Sequence, residues 1–245
     1  MAYLKNFKNK KNTKTRNYEA VAMVGEKRVG KSSLVKIYID KYLKKYDVRV
    51  LVFDISDAFG EQYRDGVKIF DGYPIITQEQ LINPALTQEE LIKGVFVRNG
   101  KKIEWQRGVK RITEIDNDVF LKYASEIFRN GLLVIDEATT LFNPNPSVEQ
   151  IKFLITHTNH RCDGLFIFHR LADIPKRLRN NFWKFILFAT GDNVDRTDPQ
   201  KGVKDIKELG FQNAENFYQK WIDAQVPEDG DKIIQQFNVH KKNDI

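Results

Sequence analysis

The chain has 245 residues, 41% hydrophobic and 30% charged, with 40 lysines and arginines against 33 acids and a net charge of +7. This composition supports a buried core, and since no uncharged apolar run nears the ~20 residues that cross a bilayer it excludes a membrane span; the opening MAYLKNFKNKK lacks an apolar stretch, so no secretory signal is expected. A single cysteine, Cys162, excludes an internal disulfide and a multi-cysteine zinc site and suits a reducing compartment.

Residues 1–17 hold six bases (Lys5, Lys8, Lys10, Lys11, Lys14, Arg16) and no acid, which leaves the remainder close to neutral. Rich in Asn and Lys, they read as a flexible basic arm, either solvated or in contact with nucleic-acid phosphates or another anionic surface. From Tyr18, short apolar runs alternate with helical stretches. The runs 19–24, 48–54, 132–136, 164–168 and 185–189 are apolar on both faces, as expected of five buried strands in a parallel sheet. Helices are expected over 32–45, 117–129, 147–159 and 175–181, and the alternation implies right-handed crossovers in a doubly wound α/β sheet. The stretch 66–115 interrupts this rhythm. Within it, Asn99-Gly100 between apolar-alternating halves signals an inserted β-hairpin. Beyond Gly191 the chain turns polar, with one amphipathic helix over 213–224; residues 18–200 therefore read as the core and 201–245 as a helical extension of it.

The segment Gly25-Glu26-Lys27-Arg28-Val29-Gly30-Lys31-Ser32 satisfies G-x-x-x-x-G-K-S directly after an apolar run and directly before a helix, with Ser33 following. Glycines let the backbone wind around a phosphate chain with its N–H groups inward, and the helix start adds partial positive charge. Lys31 is placed to reach the β- and γ-phosphates of ATP, and Ser32 to offer a hydroxyl to Mg²⁺. A second signal is Leu132-Leu133-Val134-Ile135-Asp136-Glu137, an apolar strand delivering two acids to its carboxyl end. Asp136 suits the Mg²⁺ hydration shell, and Glu137 suits the polarising of a water aimed at the γ-phosphate. The run ending at Phe168 brings His169 and Arg170 to the same sheet edge, where His169 acts as a γ-phosphate sensor or serves as an ordinary polar terminus.

Taken in order, GEKRVGKS, VLVFDISDAFGEQY, LLVIDEA and HRCDGLFIFHRLADIPKRLRNNFWKFILF resemble the FtsK–HerA superfamily of P-loop motors, including viral genome-packaging ATPases, over residues 21–189. The resemblance implies a P-loop NTPase core of RecA/ASCE type: a mostly parallel five-stranded sheet flanked by helices, plus the inserted hairpin. Asp54, Glu61 and Tyr63 look like a longer version of the family's motif after the second strand, while His169 replaces its sensor glutamine. The family works as rings, usually hexameric, in which one subunit's arginine completes the neighbour's site. Arg161 is the first candidate for that finger, with Arg170 and Arg179 as alternatives.

The expected function is therefore an ATP-hydrolysing DNA translocase, the genome-packaging ATPase of a virus or phage, bound to DNA without sequence preference and possessing a capsid vertex as a further partner. The expected location is the host cytoplasm or the virion. Three rivals remain: a zonula-occludens-toxin-like ATPase exporting single-stranded DNA, a nucleotide-binding switch or structural protein without turnover, and a nucleoside or small-molecule kinase. The hairpin bases Arg98, Lys101, Lys102, Arg107, Lys110 and Arg111, opposed by Glu104, either line a ring channel or form a solvated face. His157, His160 and Cys162 lie close in sequence but lack a fourth ligand for structural zinc.

Overall fold

Alternation along each apolar run decides the layering. In the computed structural model, which describes residues 18–142, 145–211, 213–225 and 235–238, with backbone only at 154–159 and 235–238, the expected runs form strands buried on both faces. These strands are β1 (Ala20–Val24), β2 (Arg49–Phe53), β8 (Gly131–Ile135), β9 (Cys162–Phe168) and β10 (Lys184–Leu187). Between β2 and β8 come the hairpin strands β3 (Gln62–Arg64) and β4 (Val67–Phe70), a second hairpin of β5 (Val95–Arg98) and β6 (Lys101–Glu104), and β7 (Gly108–Ile112). A last strand, β11 (Gln235–Asn238), follows β10.

The main sheet runs β11-β10-β1-β9-β8-β2-β7. Six of these strands are parallel, one more than the sequence suggests, because β7 pairs in register with β2; β11 adds an antiparallel edge to β10. The expected insert thus divides into a genuine hairpin, β5–β6, and a strand of the main sheet. The basic arm, residues 1–17, lies outside the described residues.

One face of the sheet packs on α1 (Lys31–Tyr46), where Val21, Met23, Val50, Val52, Leu132 and Val134 meet Val35, Ile39 and Tyr42. The other face carries Leu51, Phe53, Leu133, Phe166, Phe168 and Phe185. It is covered by α4 (Asn117–Glu126), α5 (Val148–Asn159), the short α6 (Lys176–Arg179) and α8 (Ala214–Gln225). Phe53 meets Phe120 at 4.6 Å and Phe166 meets Phe182 at 5.4 Å, tilted or edge to face, and each such buried ring contributes about 2–3 kcal/mol by burial alone. The smaller helices α2 (Gln78–Leu81) and α3 (Gln88–Lys93) begin with threonine capping boxes, and α7 (Pro199–Glu208) begins at an Asp198 cap with proline behind it. No helix among the described residues is long and apolar enough to cross a membrane.

All six parallel strands end at one sheet edge. The loops after β1, β2, β8 and β9 meet there, and they carry the polar residues that the sequence singled out.

Candidate nucleotide site

β1 stops at Val24 and the chain must turn at once between β9 and β10. Gly25 N–H donates to Phe168 O at 3.1 Å, and a Cβ at Gly25 would lie 2.6 Å from the Phe188 Cβ, so only glycine fits. The loop then coils through left-handed backbone at Arg28 (φ 67°) and Gly30 (φ 95°). Gly30 begins α1 without a side-chain cap and without an acid in the first turn, which leaves the helix's first N–H groups for an anion. The Lys31 ammonium donates to Gly25 O and, at 2.6 Å, to Glu26 O. Burial lowers the Lys31 pKa, and the nearby charges of Glu137 and Asp136 oppose that shift.

At the end of β8, Asp136 N–H donates to Phe53 O at 2.9 Å, continuing the ladder with β2. Glu137 breaks it with left-handed backbone (φ 49°) that starts a single 3₁₀ turn over Ala138–Thr140. Consecutive acids therefore take different environments. Asp136 is 5% exposed and accepts a hydrogen bond from the Ser56 hydroxyl; burial raises its pKa, with Glu137 and Asp54 adding to the rise. Glu137 is bonded through its Oε2 to His169 Nε2, which assigns that ring proton to Nε2, and His169 Nδ1 is buried with no hydrogen-bond partner among the described residues.

Two braces hold these loops. Asp54, fully buried after β2, accepts from the Ala58 and Phe59 amides and from Arg111 of β7 at 3.0 Å; Arg111 also reaches Asp57 and the Tyr73 carbonyl. Burial raises the Asp54 pKa against the Arg111 contact. On the other side, Asp192 accepts from the Leu171 and Ala172 amides at 2.8 and 3.0 Å, and Arg179 donates to Ile174 O at 2.8 Å, fixing the turn after Arg170.

Of the residues expected in the site, Lys27, Arg28, Gly30, Lys31, Ser32, Ser33, Asp136, Glu137 and His169 line one open cavity of about 310 Å³. Gly25, Glu26 and Val29 shape its loop without lining it. Arg161 does not join them: it lies exposed just before β9, at the opposite sheet edge, separated from His169 by the seven residues of that strand, ~23 Å of chain. Arg170 is exposed at the same sheet edge as the cavity without lining it, whereas Arg179 is 3% exposed and donates to the Ile174, Leu171 and Ala172 carbonyls. Tyr63 and Lys68 of the outer hairpin both donate to the Glu61 carboxylate, outside the cavity lining. Ser56 lines the cavity and was not singled out by any sequence pattern.

The donor set fits Mg²⁺. Among the described residues no basic side chain forms an ion pair with the buried Asp136, so its charge is left for a cation, and the Ser32 hydroxyl shares its cavity. Elsewhere, the basic insert is dispersed: Lys102 pairs with Glu90, Arg107 with Asp47, Arg111 is buried on Asp54, and Lys110 lies over Phe96, which leaves Arg98 and Lys101 at the exposed hairpin tip. Cys162 is buried against the Phe128 and His160 carbonyls, the His157 side chain lies outside the described residues, and no metal-binding cluster occurs among the described residues.

No family model and no curated protein matches the chain. Solved structures do. The genome-packaging NTPase B204 from Sulfolobus turreted icosahedral virus 2, in complex with AMPPCP, aligns over 91% of this chain and 94% of that one at 15% identity and a TM-score of 0.56. The DNA-packaging ATPase B204 from Sulfolobus turreted icosahedral virus aligns over 91% and 94% at 14% identity and 0.52. VirB4 of Thermoanaerobacter pseudethanolicus covers 91% and 90% at 10% identity and 0.45. At these identities the likeness to the two B204 structures is one of fold: the chain has a P-loop NTPase fold.

Proposed function

We propose that this chain is an ATP-hydrolysing motor that moves DNA, the genome-packaging ATPase of a virus or phage. One observation carries the reading: Lys31, Ser32, Asp136, Glu137 and His169, from three strand ends, line a single cavity. Support for the packaging role comes from the fold shared with B204, whose structures include complexes with AMPPCP, ATP-gammaS and AMP.

The loop amides from Gly25 to Ser33 and the start of α1 bind the phosphate chain of ATP, and Lys31 exchanges its bonds to Gly25 O and Glu26 O for phosphate oxygens. Ser32 and Asp136 would hold Mg²⁺, whose charge would offset that of the phosphates. Glu137 accepts the proton of the attacking water, and His169 fixes the carboxylate that does so. Arg161 lies too far from its own chain's cavity and acts in the site of a neighbour, which requires a head-to-tail ring, a hexamer in our reading. DNA contacts the basic arm and the tip residues Arg98 and Lys101 through phosphates, without base readout. The ring works at a capsid vertex, in the host cytoplasm or on the virion.

Phosphate release measured with ATP and Mg²⁺, without DNA and with single-stranded or duplex DNA, tests this. The reading expects turnover stimulated by DNA and abolished in Lys31→Ala. Equal background rates in both proteins, with and without DNA, would overturn it.

A further inference from the structure

The loop between β2 and β3 presents one hydroxyl to the cavity. It is rigid for stated reasons: Asp54 ties the Ala58 and Phe59 amides back to the strand end, Arg111 clamps Asp54 and Asp57 together, and Gly60 N–H donates to Asp57 O at 3.2 Å. Gly72 backs the loop so closely that a Cβ there would lie 2.8 Å from Glu61 N. Ser56 sits between these fixed points, lines the cavity with Lys31 and Ser32, and donates to Asp136 Oδ2.

We propose that Ser56 is a positioning residue for the divalent cation: by occupying Oδ2 of Asp136 it locks that carboxylate's rotation, so that Oδ1 faces the cavity and the metal's water shell. The proposal rests on the nucleotide-and-metal reading of the cavity. A serine has one proton to donate, so once it is given to Asp136 the hydroxyl's lone pairs remain to accept from a metal-bound water. Removing the hydroxyl frees Asp136 to rotate, and the loss of such an outer partner typically weakens metal binding by about 10–100-fold. The bracing by Asp54 and Arg111 matters because the hydroxyl orients the carboxylate only while its own backbone is fixed.

The test is calorimetric binding of AMPPCP across a Mg²⁺ titration, comparing the full chain with Ser56→Ala and Ser56→Thr. The proposal expects Ser56→Ala to raise the half-saturating Mg²⁺ concentration about 10-fold or more, to leave AMPPCP affinity in EDTA unchanged, and to be rescued by Ser56→Thr, which retains the hydroxyl. An unchanged Mg²⁺ dependence in Ser56→Ala overturns it. An equal loss of affinity with and without Mg²⁺ also overturns it, since that marks a merely structural role. If the unsubstituted chain binds no AMPPCP under any condition, the nucleotide reading itself fails; if it binds with normal Mg²⁺ dependence and Ser56→Ala does the same, only the role of Ser56 fails.

Discussion

Single residues here take their chemistry from burial. Cys162, at 0% exposure, lies between the Phe128 and His160 carbonyls, and burial pushes its thiol up to about 11. The thiol is therefore protonated in the folded chain at pH 8, while an unfolded thiol with its ordinary value near 8.5 is partly ionised. Because folding favours the protonated form, the thiol's contribution to stability is intact below its unfolded value and is lost as pH rises toward about 11. Alkylation by iodoacetamide at pH 8 is expected to proceed at the rate of unfolding and to accelerate sharply in denaturant; rapid labelling of the native protein would contradict the buried placement. The phosphate loop was legible at this scale because its chemistry is local, with glycines, a lysine and a serine at fixed spacing in one segment. Ser56 and Asp192 were not, since a serine and an aspartate acquire a role only when a folded loop sets them against Asp136 or the Leu171 amide.

At the scale of elements, a buried guanidinium ties the insert to the sheet. Arg49, 5% exposed at the start of β2, donates to Ile92 O in the last turn of α3 and to Arg129 O before β8, and lies 5.8 and 5.2 Å from the Trp105 and Phe128 rings. Its second amino group, Nη1, has no hydrogen-bond partner among the described residues, and burial lowers the guanidinium's pKa. Truncation leaves two carbonyls without their donor and a void against two rings. Arg49→Ala is thus expected to cost about 3 kcal/mol in urea unfolding, with the β5–β6 hairpin becoming sensitive to protease; a loss below about 0.5 kcal/mol would show that the tie is idle. The buried strands were legible from their apolar runs. β7 was not, because its Lys110 and Arg111 look solvent-facing, and only the folded pairing of Arg111 with Asp54 explains a buried arginine in an edge strand. Asp65-Gly66 at the β3–β4 turn carries the same signal as Asn99-Gly100, both with positive φ, but β3 before it, Gln-Tyr-Arg, is too short and polar to read as a strand. The Asp198-Pro199 start of α7 was similarly hidden in a polar stretch with a central glycine.

For the whole molecule, the parallel sheet has two unlike edges. Its carboxyl edge gathers the phosphate loop, the paired acids and His169, and its amino edge exposes Arg161. A residue at the second edge completes a site at the first only across a subunit boundary. Lys31→Ala and Arg161→Ala are each expected to be inactive alone, whereas their mixture regains partial ATPase activity, because some boundaries then join an intact loop to an intact arginine. Arg161→Ala at full activity, or a mixture as inactive as its components, would remove Arg161 from the mechanism.

In the proposed mechanism Glu137 serves the chemical step at a site where Lys31 holds the nucleotide. It is tested most directly by Glu137→Gln, measured for both AMPPCP affinity and phosphate release. Affinity is expected to stay within a few-fold of the unsubstituted chain and release to slow by about 10²–10⁴-fold. Unchanged release would contradict it.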